Sequence, residues 1–201
     1  MIDARAATGK TPGSSPWYVF DMDYLHWLRT RRTIRKYQET PLSESHQALL
    51  EEAALRAPSS RSLRPWEFIA VTDPPTLRSL SRVKAHGAAF LAKAPYAMVF
   101  LADPGVCDVW IEDCAIAAWT VQSAAENLGL GACWIQLRER KDTRGRSSRD
   151  AAAEILKIPD GYQVLAIIAA GHPAESLPPH PETSLQRSKM HLNRFGTRKN
   201  G

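Results

Sequence analysis

Three arginines and a hydroxyl lie within five residues of one another, in Arg31-Arg32-Thr33-Ile34-Arg35. Guanidinium groups bind phosphate oxygens through paired hydrogen bonds, and the Thr33 hydroxyl can donate one more. Arg35 follows Thr33 by two residues, so in an extended segment both side chains project to the same side. The segment therefore predicts a site for an anionic ligand. A solvated basic segment or a weak nucleic-acid patch would also account for it.

A second polar segment joins a predicted helix to a predicted strand, in Ala57-Pro58-Ser59-Ser60-Arg61-Ser62-Leu63-Arg64-Pro65-Trp66. Its serine hydroxyls and its free backbone N–H groups can bind the polar edge of a ligand. The alternative is an ordinary turn between a helix and a strand, because serine and proline are common in such turns.

The third segment combines glycines with a tryptophan, in Glu126-Asn127-Leu128-Gly129-Leu130-Gly131-Ala132-Cys133-Trp134-Ile135-Gln136. Its glycines allow a sharp turn and a close approach of another group. The spacing does not fit a dinucleotide fingerprint, because Trp134 stands where the third glycine belongs and a helix precedes the motif. Core packing is the alternative role for Trp134.

Composition restricts the class of protein. The chain has 201 residues, 44% hydrophobic and 23% charged, which suits one globular domain rather than a fibrous or disordered chain. We expect no secretory signal and no membrane span, since no apolar run approaches about 20 residues. Cys107, Cys114 and Cys133 fit neither a CxxC redox motif nor a zinc site, and a reducing cytoplasm is the simplest location. The net charge of +5 favours an anionic partner.

These segments must be positioned by helices and strands that the apolar periodicity predicts. We expect helices over residues 22–30, from Ser43 to Pro58, within 76–91 with a break near Gly87, over 108–128 with Asp108 as its cap, and over 151–156. Apolar runs predict strands over 65–72, 96–102, 132–137 and 164–170. This order predicts an α+β domain, with helices on the faces of a central sheet. Residues 171–201 should wrap over another surface.

Taken together, the three segments resemble the nitroreductase family of FMN-dependent oxidoreductases, in its compact branch. The family shows an RRSxR motif, an APSxxNxQPW segment, and a helix ending in LGLG before a strand. Here these correspond to Arg31–Arg35, Ala57–Trp66 and Leu128–Ile135. A fourth pattern, LxIPxGY followed by GxP, matches Leu156–Tyr162 and Gly171–Pro173. The four matches occur in order and cover about residues 24–195.

The resemblance implies a nitroreductase-like α+β fold, with a mixed central β-sheet flanked by helices. It implies an interlocked homodimer, whose extended termini embrace the partner and whose interface holds two FMN molecules. Residues 1–20 would be an N-terminal extension. Residues 21–201 would be a single FMN-binding domain with an extended C-terminal arm.

The resemblance also assigns residues to FMN. Arg31, Arg32 and Thr33 would hold the phosphate, and Arg35 would face the N1/O2 edge of the ring. Further contacts are implied from Pro58, Ser59, Ser60 and Ser62 of the other subunit, from Trp134, Ile135 and Gln136 near the ring, and from Arg187 at the phosphate, with Thr183 or Ser184 as alternatives to Arg187. Ser62 replaces the usual Asn and Arg64 the usual Gln, so contacts to the ring can differ.

The function that the resemblance implies is a ping-pong transfer of hydride from NAD(P)H, through flavin N5, to an electron-poor acceptor such as a nitroaromatic compound or a quinone. We expect no catalytic acid or base from the protein, no metal, and no nucleic-acid or membrane partner. One alternative is a flavin-binding carrier or sensor of the same fold without turnover. Another is a basic module that binds nucleic acid through Arg29–Lys36 and Arg138–Arg149.

Overall fold

The computed structural model describes residues 24–198, which form five α-helices and four β-strands. The predicted extension over residues 1–20, and the predicted helix start at residue 22, lie outside the described residues. In chain order the elements are α1 (Tyr24–Thr30), α2 (Glu44–Leu55), β1 (Trp66–Val71), α3 (Pro74–Leu80), β2 (Tyr96–Ala102), α4 (Trp110–Asn127), β3 (Gly131–Gln136), α5 (Ser148–Leu156) and β4 (Gln163–Gly171).

Side-chain caps explain where most of the helices begin. Ser43 caps α2, since its hydroxyl accepts a hydrogen bond from His46 N at 3.2 Å. Ser147 caps α5 in the same way, so that helix begins at Ser148, three residues earlier than predicted. The predicted cap of α4 is wrong. Val109 occupies the cap position, and the Asp108 carboxylate instead pairs with the Arg61 guanidinium.

The predicted helical stretch over residues 76–91 is interrupted. Helix α3 begins early because Asp73 caps it and Pro74 suits its first turn, and it ends at Leu80. Gly87 then adopts a φ of +80°, which only glycine tolerates without strain, and a single 3₁₀ turn follows at Ala89–Lys93. The break near Gly87 was expected from the sequence.

The four strands form one sheet in the order β1-β2-β4-β3, and every neighbouring pair is antiparallel. The mixed sheet that we expected is therefore not found within residues 24–198. Strands β2 and β3 do run in the same direction, as the helical crossover through α4 requires. Strand β4 lies between them, however, so β2 and β3 do not pair with each other.

The sheet separates two apolar layers. Alternate β2 residues, among them Tyr96 and Phe100, face α2 and α4, whereas Ala97 and Val99 face α3 and α5. All seven residues of β2 are buried, as are all but the first residue of β4. These are the two central strands of the sheet, as their continuous apolar runs predicted. The α+β class that we predicted is therefore found.

The C-terminal arm, residues 172–198, begins beside the segment that carries the arginines. Gln38 N donates to His172 O, and Ala174 N donates to Lys36 O, both at 2.8 Å. Beyond Pro178 the arm leaves large apolar side chains exposed at Leu185, Met190, Leu192 and Phe195. Between residues 24 and 198, the chain contains no helix with the length and apolar character needed to span a membrane.

Candidate functional site

The arginine-rich segment Arg31–Arg35 runs along the outer edge of β3. Ile34 N donates to Ala132 O at 3.1 Å, and the Ile34 side chain is buried against the strand. A Cβ atom at Gly131 would lie 2.6 Å from Ile34 Cγ2, so this glycine permits the close approach. The second glycine of the LGLG motif therefore positions the arginine segment against the sheet.

Arg35 is fixed through its backbone, whereas its side chain is exposed. Glu175, on the arm, accepts hydrogen bonds from Arg35 N at 2.7 Å and Lys36 N at 3.1 Å. The Arg35 bond lowers the pKa of the Glu175 carboxyl, despite some desolvation. The Arg35 guanidinium is exposed and lies beside the Cys133 thiol, whose pKa is raised by burial and partly lowered again by this arginine.

Arg31 is engaged by the protein itself. Its Nε and Nη2 atoms bind the two oxygens of Glu126 at 3.0 and 3.1 Å. The same guanidinium lies 5.9 Å from the ring centroid of Trp27 and 5.5 Å from that of Trp119. Arg31 therefore joins α1 to the end of α4. Glu126 therefore occupies the Nε–Nη2 edge of the guanidinium, which leaves only the Nη1 side for a phosphate.

Three further predicted phosphate contacts lie in this segment or close to it in the same chain. Arg32 donates from Nη1 to the carbonyl of Pro178, on the arm, and Thr33 is half-buried. Arg187 lines a cleft of about 670 Å³ between α1 and the arm, together with Arg29 and Ser184. Arg187 also pairs with Glu182 at 2.8 Å, and both side chains are exposed. The arm thus brings Arg187 to the end of α1, next to the arginine segment.

The predicted ring contacts on β3 face two different ways. Trp134 and Gln136 share one face, and Trp134 Nε1 donates to Gln136 Oε1 at 2.9 Å. The Ile135 side chain lies in the opposite core layer and is 1% exposed. Since Ala132 O points outward to Ile34, the alternation of a β-strand also turns the backbone groups of Trp134 and Gln136 to the outer edge.

The serine-rich loop is strained and firmly held. Arg61, Ser62 and Arg64 have φ values of 51°, 55° and 49°, in the left-handed region that non-glycine residues rarely adopt. Ser59 Oγ accepts a hydrogen bond from Arg64 N at 3.0 Å. The predicted contacts Pro58, Ser59 and Ser62, with Arg56 and Arg64, line an open cleft of about 430 Å³. Strain of this kind persists only where surrounding contacts fix the backbone.

Asp113 joins the serine-rich loop to the start of α4. Its carboxylate is 2% exposed, and Oδ1 accepts a hydrogen bond from Ser60 N at 2.8 Å. Oδ2 lies 3.4 Å from the Cys107 thiol, which donates to it. Asp113 also lies in the first turn of α4, where the helix dipole favours a negative charge.

Sequence reasoning missed three acidic residues that hold the site together: Asp113, Glu126 and Glu175. It searched for cations and hydroxyls that could touch a ligand, whereas these carboxylates bind the protein's own N–H and guanidinium groups. No local pattern pointed to them: the predicted helix began at Asp108, so Asp113 lay beyond its first turn, and only the observed start at Trp110 places it there.

The two predicted halves of the site lie at opposite ends of α4. Ser60 contacts Asp113 near the start of the helix, and Arg31 contacts Glu126 near its end. Thirteen residues separate these two contacts, which corresponds to about 20 Å along a helix. One chain therefore does not bring the serine-rich loop to its own arginine segment.

The region of the chain that holds the arginine segment, the serine-rich loop and the LGLG motif also matches a sequence profile of a protein family. The profile described as "Nitroreductase family" matches residues 28–105 and 81–172, which is most of the chain. The chain belongs to the nitroreductase family. This confirms the resemblance that the four motifs indicated.

Known nitroreductase-family proteins agree with this assignment in both sequence and fold. A solved structure named FMN-dependent nitroreductase, from Clostridium difficile, has a TM-score of 0.83 and 41% identity. That match covers 85% of this chain and 99% of the other. A Methanothermobacter thermautotrophicus protein named NADH dehydrogenase/NAD(P)H nitroreductase is 31% identical over 180 residues, which is 88% of this chain and 90% of the relative. A Bacillus subtilis protein named FMN reductase (NADPH) is 29% identical over 75% of this chain and 66% of its own length.

Proposed function

We propose that this nitroreductase-family chain is an FMN-dependent oxidoreductase, which takes hydride from NAD(P)H and reduces an electron-poor acceptor. The observation that carries the proposal is the placement of the arginine segment, with Arg32 and Arg35, along the outer edge of β3, the strand that also carries Trp134 and Gln136. The names of the Clostridium difficile and Bacillus subtilis relatives support FMN and a nicotinamide nucleotide as the two cofactors.

The chemistry of the donor set fits FMN. Arg32 and Thr33 offer a guanidinium and a hydroxyl for a phosphate, and Arg187 lies within reach of the same region. The indole N–H of Trp27, beside Arg31, is buried and has no acceptor among residues 24–198. A buried donor without an acceptor costs about 1–3 kcal/mol, so an acceptor from a bound group would stabilise this region.

Two copies of the chain would complete the site. Because the serine-rich loop and the arginine segment are about 20 Å apart along α4, the loop of one protomer must reach the arginine segment of its partner. The exposed apolar side chains Ile116 and Trp119 on α4, and those of the arm, are suited to burial in such an interface. We therefore propose a homodimer with two equivalent sites. Location in the cytoplasm stays a prediction.

The protein's part in the reaction is to bind, orient and stabilise charge. Bound FMN would supply the hydride and electron chemistry itself. Arg35 carries a fixed positive charge, and its backbone is held by Glu175, so it is suited to stabilise negative charge at the N1/O2 edge of the ring. Arg32 and Thr33 would fix the phosphate. Arg31 would act mainly by holding α1 against α4.

The test is spectroscopic and uses the full chain. We expect the purified protein to show flavin absorption bands that bleach when NADH or NADPH is added without oxygen, and to have twice the chain mass in light scattering. Flavin absorption without bleaching by either nucleotide would instead support a carrier or sensor. A colourless monomer that rejects added FMN would refute the proposal.

Variants separate the two arginine roles. Arg32→Ala should weaken FMN binding about ten- to hundredfold, since one charged hydrogen bond is worth about 1.5–3 kcal/mol. Arg35→Ala should retain FMN but lower its reduction potential and its activity. Lys93→Ala removes an exposed cation outside the site and should change neither property. An unchanged potential in FMN-loaded Arg35→Ala would refute the role of Arg35.

A further inference from the structure

The segment 138–149, which we call the basic loop, follows β3 directly and contains six basic and two acidic residues. The structure shows it as an ordered hairpin. Lys141 pairs with Ser147 across the loop, and Asp142 Oδ1 accepts hydrogen bonds from Arg144 N and Arg146 N, each at 2.9 Å. Ala85 N donates to Lys141 O at 2.9 Å, which fixes the loop against the segment after α3.

Between the basic loop, α3 and α5 lies a pocket of about 390 Å³ with a cationic wall. Its polar lining consists of Ser79, Arg82, Asp142, Thr143, Arg144, Arg146 and Glu154. The two acidic residues of this lining, Asp142 and Glu154, both form ion pairs with Arg146. Within the described part of the chain, the side chains of Arg82 and Arg144 have no carboxylate partner. Two guanidiniums and the Thr143 hydroxyl therefore remain available to one ligand, whereas the Ser79 hydroxyl donates to Pro75 O at 3.0 Å.

Cations of the basic loop and of the arginine segment both lie near Lys84 and Cys133. The pKa of Lys84 is lowered by burial and then by the nearby Arg140, which shows that positive charges are crowded here. Lys84 and Arg35 both act electrostatically on the Cys133 thiol. The cationic pocket is thus on the same side of β3 as the Arg35 guanidinium. A nucleotide extending from the FMN site could reach it.

We propose that Arg82 and Arg144 bind the 2′-phosphate of NADPH, so that the enzyme prefers NADPH over NADH. The inference rests on the proposed function, because that function supplies two phosphomonoesters, FMN and NADPH, and the FMN phosphate is assigned to Arg32 and Thr33. Guanidinium groups fit a dianionic phosphate through paired hydrogen bonds, and the Thr143 hydroxyl can donate to one of its remaining oxygens. NADH carries no group that could replace these contacts.

The test measures binding without turnover. Calorimetry on the FMN-loaded protein would compare adenosine 2′,5′-bisphosphate with adenosine 5′-phosphate, in the wild type and in Arg82→Ser/Arg144→Ser. The control, Arg78→Ser/Lys93→Ser, removes two exposed cations that line a different cleft. We expect the first variant to bind the bisphosphate at least about tenfold more weakly and the 5′-phosphate unchanged. The control should match the wild type. The KM for NADPH should rise in parallel with that loss, and the KM for NADH should not.

Several outcomes would overturn the inference. One is a wild type that binds the two adenosine phosphates equally, and another is a control variant that loses as much affinity as the test variant. Inorganic phosphate that binds as tightly as the bisphosphate would show a site for free phosphate. A short DNA duplex that displaces the bisphosphate from these arginines would show a nucleic-acid surface. If the bisphosphate binds as expected but neither NADPH nor NADH bleaches the protein, the phosphate site stands and the proposed function fails.

Discussion

Replacing Asp113 by alanine should test whether one buried carboxylate holds the serine-rich loop. The variant leaves the Ser60 N–H buried without its acceptor, which costs about 1–3 kcal/mol. It also removes a negative charge from the first turn of α4, worth about 0.3–1 kcal/mol. The two contributions together predict a loss of about 1.3–4 kcal/mol in the free energy of unfolding. Urea denaturation followed by circular dichroism would measure it.

Two companion variants make the result specific. Asp113→Asn keeps an oxygen that can accept from Ser60 N, so it should lose much less stability than the alanine variant. Asp108→Ala breaks only the exposed pair with Arg61 and should have little effect. The alanine variant should also bind FMN more weakly, because the loop would no longer keep its left-handed backbone. Equal stabilities for Asp113→Ala and Asp108→Ala would show that the buried carboxylate does not hold the loop.

Three more predictions follow from single contacts. The pKa of the Glu175 carboxyl is lowered in the folded chain, so the ionised carboxylate stabilises the fold at pH values above the ordinary pKa of Glu. This contribution is lost as the pH falls through the lowered pKa. The free energy of unfolding of Glu175→Gln should therefore fall less steeply with acid than that of the wild type. The three cysteines are buried, and burial raises the pKa of Cys114 to about 12, so a thiol reagent at pH 8 should label the native protein slowly and label three thiols after unfolding. Gly131→Ala should lower the free energy of unfolding by about 1–3 kcal/mol, because the added methyl group crowds Ile34. In a double-mutant cycle, adding Ile34→Ala should remove most of that loss.

The local elements followed from the sequence because their causes are local. The uninterrupted apolar run Tyr96–Ala102 predicted a central strand, and the structure gives β2 the same bounds. Ser43 was predicted to begin a helix, and it caps α2 in the structure. The cap at Asp108 was predicted by the same rule and is wrong, because Arg61 lies 47 residues away in sequence and competes for that carboxylate. A rule based on neighbouring residues cannot include such a competitor.

The sequence by itself determined the family, since four ordered motifs are a property of the residue string, and it placed cations where an anionic ligand could bind. Only the tertiary structure decided how those cations are used. Glu126 binds the Arg31 guanidinium, whereas the Arg35 side chain is exposed. Helix α4 holds the serine-rich loop about 20 Å from the arginine segment of the same chain. Strand β4 also enters between β2 and β3, so the sheet is antiparallel in the described chain. The physical reason is the same each time: these outcomes depend on contacts between residues far apart in sequence, which local patterns do not encode.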